Sequence, residues 1–177
     1  MIPPLILILS LFISIASETN SSKTIYTIDK LVKETLQNNP EKDFNIFDPN
    51  KYIFSFHPDM KIKMKDIFKK YGLRIYFFYV YDIIDNPRFL SEVMYKIGKF
   101  VNNDPKATKF ISVVFVINKN KYLFRIGGKV GKSQQKKKLI KIMEEKLHSF
   151  GRTIFQKDLG TFSIELLNVI KENIDFF

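Results

Sequence analysis

The chain has 177 residues, with 29 Lys+Arg against 18 Asp+Glu and a formal net charge of +11. It has no cysteine and no tryptophan but 18 phenylalanines, which excludes a disulfide framework, a thiolate metal cluster and a cysteine nucleophile. At 45 % hydrophobic residues it is not a disordered tail, and its length suits one domain with a sizeable core.

Met1 to Ala16 reads MIPPLILILSLFISIA. An apolar run, Leu5 to Ile15, precedes small residues at Ser14 and Ala16, the pattern of a secretory signal peptide. The run falls short of the roughly 20 apolar residues of a spanning helix. The division expected is a signal peptide over 1–17, an N-terminal helix and linker over 18–44, and the main domain over 45–177. That address makes the protein secreted or extracellular, or membrane-anchored where the segment is not removed. Asn20-Ser21-Ser22 is a glycosylation sequon.

Ile28, Leu31, Val32 and Leu36 have helical spacing, with Thr27 as cap and Asn38-Asn39-Pro40 as stop. Glu41 to Phe56 reads as a connector, turning sharply at Asp48-Pro49-Asn50. Pro58 opens a helix that buries Met60, Met64, Ile67, Phe68 and Tyr71, and Gly72 ends it. Arg74 to Tyr81 is a β-branched and aromatic run, which predicts a central strand covered on both faces. Asp82 to Asp85 leaves that strand, and Asn86-Pro87 starts a helix that buries Phe89, Val93, Ile97, Phe100 and Val101.

Phe110 to Ile117 is a second buried strand, Asn118-Lys119-Asn120 a hairpin turn, and Lys121 to Ile126 a returning third strand. After a loop at Gly127–Gly131, a basic helix turns Leu139, Ile140, Met143 and Leu147 inward. Arg152 to Phe155 reads as a short edge strand. Asp158 caps a last helix that buries Leu159, Phe162, Leu166, Val169 and Ile170. This order predicts an α/β fold: a three-layer α/β/α sandwich with a small mixed sheet of three to four strands and helices on both faces.

Gly127-Gly128-Lys129-Val130-Gly131-Lys132-Ser133 sits where a phosphate loop belongs. The position that should hold its first glycine is Ile126, so the loop is one residue short and its amides do not form that cradle. His57 and His148 are the only histidines, and each has a structural reason at a helix end. Asp82 and Asp85 follow the carboxyl end of the first buried strand, the edge where open α/β sheets bind ligands. Asp48 turns toward the same edge. Convergence of Asp48, Asp82 and Asp85 would hold calcium or another divalent cation. Capping of turns and helices explains them equally simply, and is the preferred reading.

Lys129, Lys132, Lys136, Lys137, Lys138 and Lys141 crowd the basic helix and its preceding loop, and Lys61 to Lys70 load another helix. Such a surface attracts an anionic membrane, a sulfated glycan or an acidic protein, or simply keeps the protein soluble. The secretory address and the lack of an interleaved aromatic motif argue against nucleic acid.

Three segments carry a family resemblance. Phe47-Asp48-Pro49-Asn50 leads into the Met60–Tyr71 helix. Gly72-Leu73-Arg74 opens the strand Ile75–Val80. Val113–Ile117, Asn118-Lys119-Asn120 and Tyr122–Ile126 form a hairpin ending at Gly127. Lys157-Asp158-Leu159 adds the start of a final helix. Over Asn45 to Ile174 the chain resembles the TPM-domain family. It is most similar to secreted nematode members related to the levamisole-receptor modulator, although those often carry cysteines near the Asp-Pro turn. The resemblance implies an extracytoplasmic accessory or interaction module; with the secretory address and the lack of a catalytic set, the expectation is a non-enzymatic, monomeric modulator of a membrane protein, such as a ligand-gated acetylcholine receptor. Links of some plant members to acid phosphatase activity imply a second reading, with Asp48 and Asp82 as metal or acid/base groups.

Overall fold

The computed structural model describes residues 23–38, 44–102, 109–127, 134–149 and 159–174. The signal-peptide segment, Asn20, Lys129, Lys132, the Arg152–Phe155 strand and the Asp158 cap lie outside the described residues.

The order is β1 (Ile25–Tyr26), α1 (Ile28–Asn38), β2 (Phe44–Phe47), α2 (His57–Tyr71), β3 (Arg74–Val80), β4 (Asp82–Ile83), α3 (Phe89–Asn102), β5 (Phe110–Val116), β6 (Lys121–Gly127), α4 (Gln134–Ser149) and α5 (Leu159–Glu172). Two short 3₁₀ turns, Phe54–Phe56 and Ile117–Lys119, precede α2 and β6. The main sheet runs β2-β3-β5-β6. Its first three strands are parallel, with Phe44 beside Ile75 and Arg74 beside Phe110. β6 returns antiparallel through the Asn118–Asn120 turn, where Asn120 takes the left-handed conformation at φ 47°. β1 and β4 form a separate parallel pair.

Alternation along the strands divides the core in two. Ile75, Phe77 and Tyr79 of β3 and Ile111, Val113 and Phe115 of β5 face α2, α4 and α5. Tyr76, Phe78 and Val80 with Val114 and Val116 face Leu31 of α1 and Phe89, Val93 and Ile97 of α3. Both faces of the sheet are covered by helices, as the unbroken apolar runs required. Leu31 is fully buried, so the helix assigned by sequence to an N-terminal segment contributes to this core. Asp29 of α1 also pairs with Lys96 of α3.

The helix signals hold where they can be seen. Thr27 Oγ1 accepts from the Lys30 amide. Pro58 lies in the first turn of α2, and Gly72 ends that helix at φ 64°, an arrangement that costs glycine little. Three expectations change. The connector 41–56 contains strand β2, which extends the sheet beside β3. Asp82–Ile83 is a short strand rather than only an exit. Phe100, placed in the buried stripe of α3, is 57 % exposed.

Candidate functional site

Three parallel strands end on one edge of the sheet, and the polar residues that follow them gather there. Asp48 follows β2, Tyr81 and Asp82 follow β3, and Ile117–Asn120 follows β5. Two separate networks result.

The first is centred on Asp48. Its main-chain oxygen accepts from the Lys51 amide at 3.1 Å, closing the Asp-Pro-Asn turn. Lys51 takes a left-handed φ of 56° there. Asp48 Oδ1 accepts from the Tyr52 amide at 2.8 Å, and Oδ2 from the Ile53 amide at 2.9 Å. His57 Nε2 lies 3.2 Å from the same Oδ2. The carboxylate is 0 % exposed and the imidazole 18 %. The Phe54 ring stands edge-on to the imidazole at 5.4 Å. Asp48 thus ties the turn after β2 to the first residue of α2.

Behind it, the Tyr79 hydroxyl donates to Ser163 Oγ at 2.6 Å, and Ser163 donates to the Leu159 carbonyl one turn back in α5. Burial drives the Tyr79 phenol well above its ordinary range; the Ser163 bond opposes this and the Asp48 charge adds to it. Tyr52 is raised in the same way by burial, against the Asn50 bond and with help from Asp48. Both phenols stay neutral hydrogen-bonding groups. Next to this network Gly160 lets α5 approach the Phe56 ring, where a Cβ would collide with it.

The second network is centred on Asp82. Oδ1 accepts from Lys119 Nζ at 2.8 Å and from the Ile83 amide at 2.7 Å. Oδ2 accepts from Asn118 Nδ2 at 3.1 Å. The Asn118 amide donates to the Tyr81 carbonyl, so the β5–β6 turn is pinned to the end of β3. Burial pushes the Asp82 carboxyl up, but the bonds from Lys119, Asn118 and Ile83 outweigh it and hold the group below its ordinary value.

A depressed carboxyl stabilises the fold above the unfolded value of about 4, and this contribution is lost as pH falls through the folded value. Unfolding melts of wild type and Asp82→Asn should therefore differ at neutral pH and converge under more acidic conditions. A difference that persists unchanged in acid would show that the carboxylate charge is not what holds the turn.

The carboxylates named from sequence are not assembled into one site. Asp48 and Asp82 belong to different networks, each satisfied by its own donors, and Asp85 is exposed. Among the described residues no group of three or more His, Cys, Asp or Glu is disposed to hold a metal ion. Of the lysines, Lys137, Lys138 and Lys141 are exposed on α4, and Lys136 is half-buried. Lys141 lies 3.8 Å from Glu145, and Lys146 reaches Glu165 of α5 at 3.0 Å. His148 is exposed at the end of α4, with its ring near Tyr122.

Sequence reasoning missed the pairing of His57 with Asp48. The signal available was a histidine at a helix start just after an Asp-Pro turn. The Tyr79–Ser163 bond spans 84 positions, and no local pattern announces it.

No family model matches the chain, and no curated protein matches it. Among solved structures, the solution structure of the N-terminal domain of a protein from P. gingivalis is similar at 11 % identity. The match has a TM-score of 0.55 and covers 86 % of this chain and 96 % of that domain. At that identity the likeness is one of fold, and it agrees with the α/β arrangement described above. Among the described residues no helix is long and apolar enough to cross a membrane.

Proposed function

We propose that this chain is a TPM-like accessory domain that acts outside the cytoplasm on a membrane protein, such as a ligand-gated acetylcholine receptor, without chemistry of its own. The observation that supports the non-enzymatic part of this reading is the state of the two carboxylates at the carboxyl edge of the sheet. Asp48 is occupied by two backbone amides and His57, and Asp82 by Lys119, Asn118 and a backbone amide. Groups held this way organise turns. A metal-dependent phosphatase would need both to release their partners, which makes that reading the weaker one. The fold shared with the P. gingivalis domain is in keeping with the α/β arrangement that the family resemblance implies.

The test is co-expression with a levamisole-type acetylcholine receptor, reading agonist-evoked current, with capture of the receptor from detergent-solubilised membranes beside a charge-matched control protein. Altered current together with selective capture is the expected result. Unaltered current with no capture above the control overturns the receptor assignment. Divalent-dependent hydrolysis of a phosphate ester that vanishes in Asp82→Asn would overturn the non-enzymatic reading.

A further inference from the structure

Among the described residues α2 presents a second basic face, apart from that of α4. Met60, Met64 and Ile67 turn α2 inward. At roughly 100° per residue, Ile62 points almost directly away from them, and it is 61 % exposed. Phe54, in the 3₁₀ turn that leads into the helix, is 62 % exposed.

Exposed charges of both signs neighbour Ile62 on the helix, and one lysine lies over Phe54. Lys61, Lys65 and Lys69 are exposed on α2, the last two within about 60° of Ile62 around the axis. Lys51 lies over the Phe54 ring at 5.7 Å. Asp66 and Asp59, both exposed, lie about 40° and 60° from Ile62 on the same side of the helix, and the exposed Lys51, Lys61, Lys65, Lys69 and Lys70 outnumber them. On α4, by contrast, Lys141 faces Glu145 and Lys146 is bound to Glu165. Among the described residues Lys61, Lys65 and Lys69 are in no ion pair.

We propose that this outer face of α2 docks on an anionic lipid bilayer, with Phe54 and Ile62 entering the interfacial layer and the lysines meeting the headgroups. Charge complementarity selects an anionic partner. The two exposed apolar side chains select a bilayer over a glycan, whose sulfates and carboxylates would engage the amines and leave Phe54 and Ile62 without a role. Exposed apolar side chains beside an excess of lysines are the composition of an interfacial face. Each lysine held near such a surface strengthens partition roughly fivefold at low salt. The inference goes beyond the accessory role and does not depend on which membrane protein is engaged.

The test is co-sedimentation of the full chain with vesicles of phosphatidylserine and phosphatidylcholine in equal parts, against vesicles of phosphatidylcholine alone. The quantity read is the phosphatidylserine-dependent increment, so that any insertion of the apolar N-terminal segment cancels. Three variants are compared, each first shown by melting to be folded. The first combines Lys61→Glu, Lys65→Glu and Lys69→Glu. The second combines Phe54→Ser and Ile62→Ser. The third, a charge-matched control, combines Lys137→Glu, Lys138→Glu and Lys141→Glu on α4. The increment should fall at least tenfold in the first, severalfold in the second, and clearly less in the third. Binding of the second variant to heparin should be unchanged.

Equal losses in the two lysine variants would reduce the effect to net charge and overturn the assignment to α2. An undiminished increment in the Phe54/Ile62 variant would overturn the bilayer in favour of a soluble polyanion. Receptor capture in detergent involves no bilayer, so failure of the accessory reading and failure of this one are seen separately.

Discussion

Replacing Phe115 by alanine should cost about 3–5 kcal/mol of folding stability, the range for removing a buried aromatic from a packed core. Phe115 lies near the end of the central strand β5 and is almost wholly buried. It stacks on Tyr79 at 5.1 Å and on Phe77 at 6.4 Å, both in the neighbouring strand β3. Its other side meets Phe162 of α5 edge-on at 5.8 Å. One side chain therefore joins two strands and a helix, and the cavity left by alanine would open where all three meet. A domain of this kind has about 5–15 kcal/mol in total, so a fifth or more of it would be lost. Urea unfolding with an unchanged m-value would report this directly. Phe100→Ala, on an exposed position of α3, should change stability by no more than about 0.5 kcal/mol. A loss below about 1 kcal/mol for Phe115→Ala would mean that the three elements can close over the gap.

The contrast between those two phenylalanines shows what a sequence pattern conveys. Phe115 is legible because β5 is apolar at nearly every position, and such a run is stable only with both faces covered. Phe100 has the right helical phase, three turns on from Phe89, but phase gives a direction and not a neighbour. In the last turn of α3 that direction ends in solvent. Short elements are lost for a different reason. β2 has four residues, Phe44–Phe47, and one of them is Asn45. Asn45 is buried, with its amide reaching the Thr35 carbonyl, a contact across ten positions that turns an unpromising tetrapeptide into a sheet strand. β1 and β4 have two residues each and exist only because they pair with one another. The periodic segments α2, α3 and α4, the runs β3 and β5 and the hairpin return to β6 carried the layer order; the β2 edge and the β1–β4 pair were settled by tertiary contacts.

The candidate site divides in the same way. Asp48 was readable as a turn residue, because Asp-Pro-Asn favours a carboxylate that bonds amides just ahead of it. That the carboxylate would also be sealed from solvent and shared with His57 depends on α2 starting at that point and on β3 and α5 standing behind it. Separation of Asp48 from Asp82 follows from Lys119 and Asn118, which the β5–β6 turn delivers to Asp82 and not to Asp48. Residues on one sheet edge share a neighbourhood, but each strand end brings its own donors.

Asp48→Ala should destabilise the domain by about 3 kcal/mol, because it strands several donors at once and buried unpaired donors cost roughly 1–3 kcal/mol each. The amides of Tyr52 and Ile53 lose their acceptor, and His57 loses the group that orients its ring. Water can reach only part of the vacated space, since the carboxylate was fully enclosed. Asp48→Asn keeps one acceptor oxygen and replaces the other with a donor, which cannot serve an amide. It should fall between alanine and wild type. His57→Ala should cost less than Asp48→Ala, because the carboxylate keeps both backbone bonds. In the double variant the two losses should not add, with a coupling of about 0.5–3 kcal/mol between residues in direct contact. Thermal melts of the four proteins measure the cycle. Should Asp48→Ala instead leave stability intact, the turn would not need its carboxylate. An enclosed acid beside a histidine, kept at no structural gain, would then favour chemistry at this edge and return weight to the phosphatase reading.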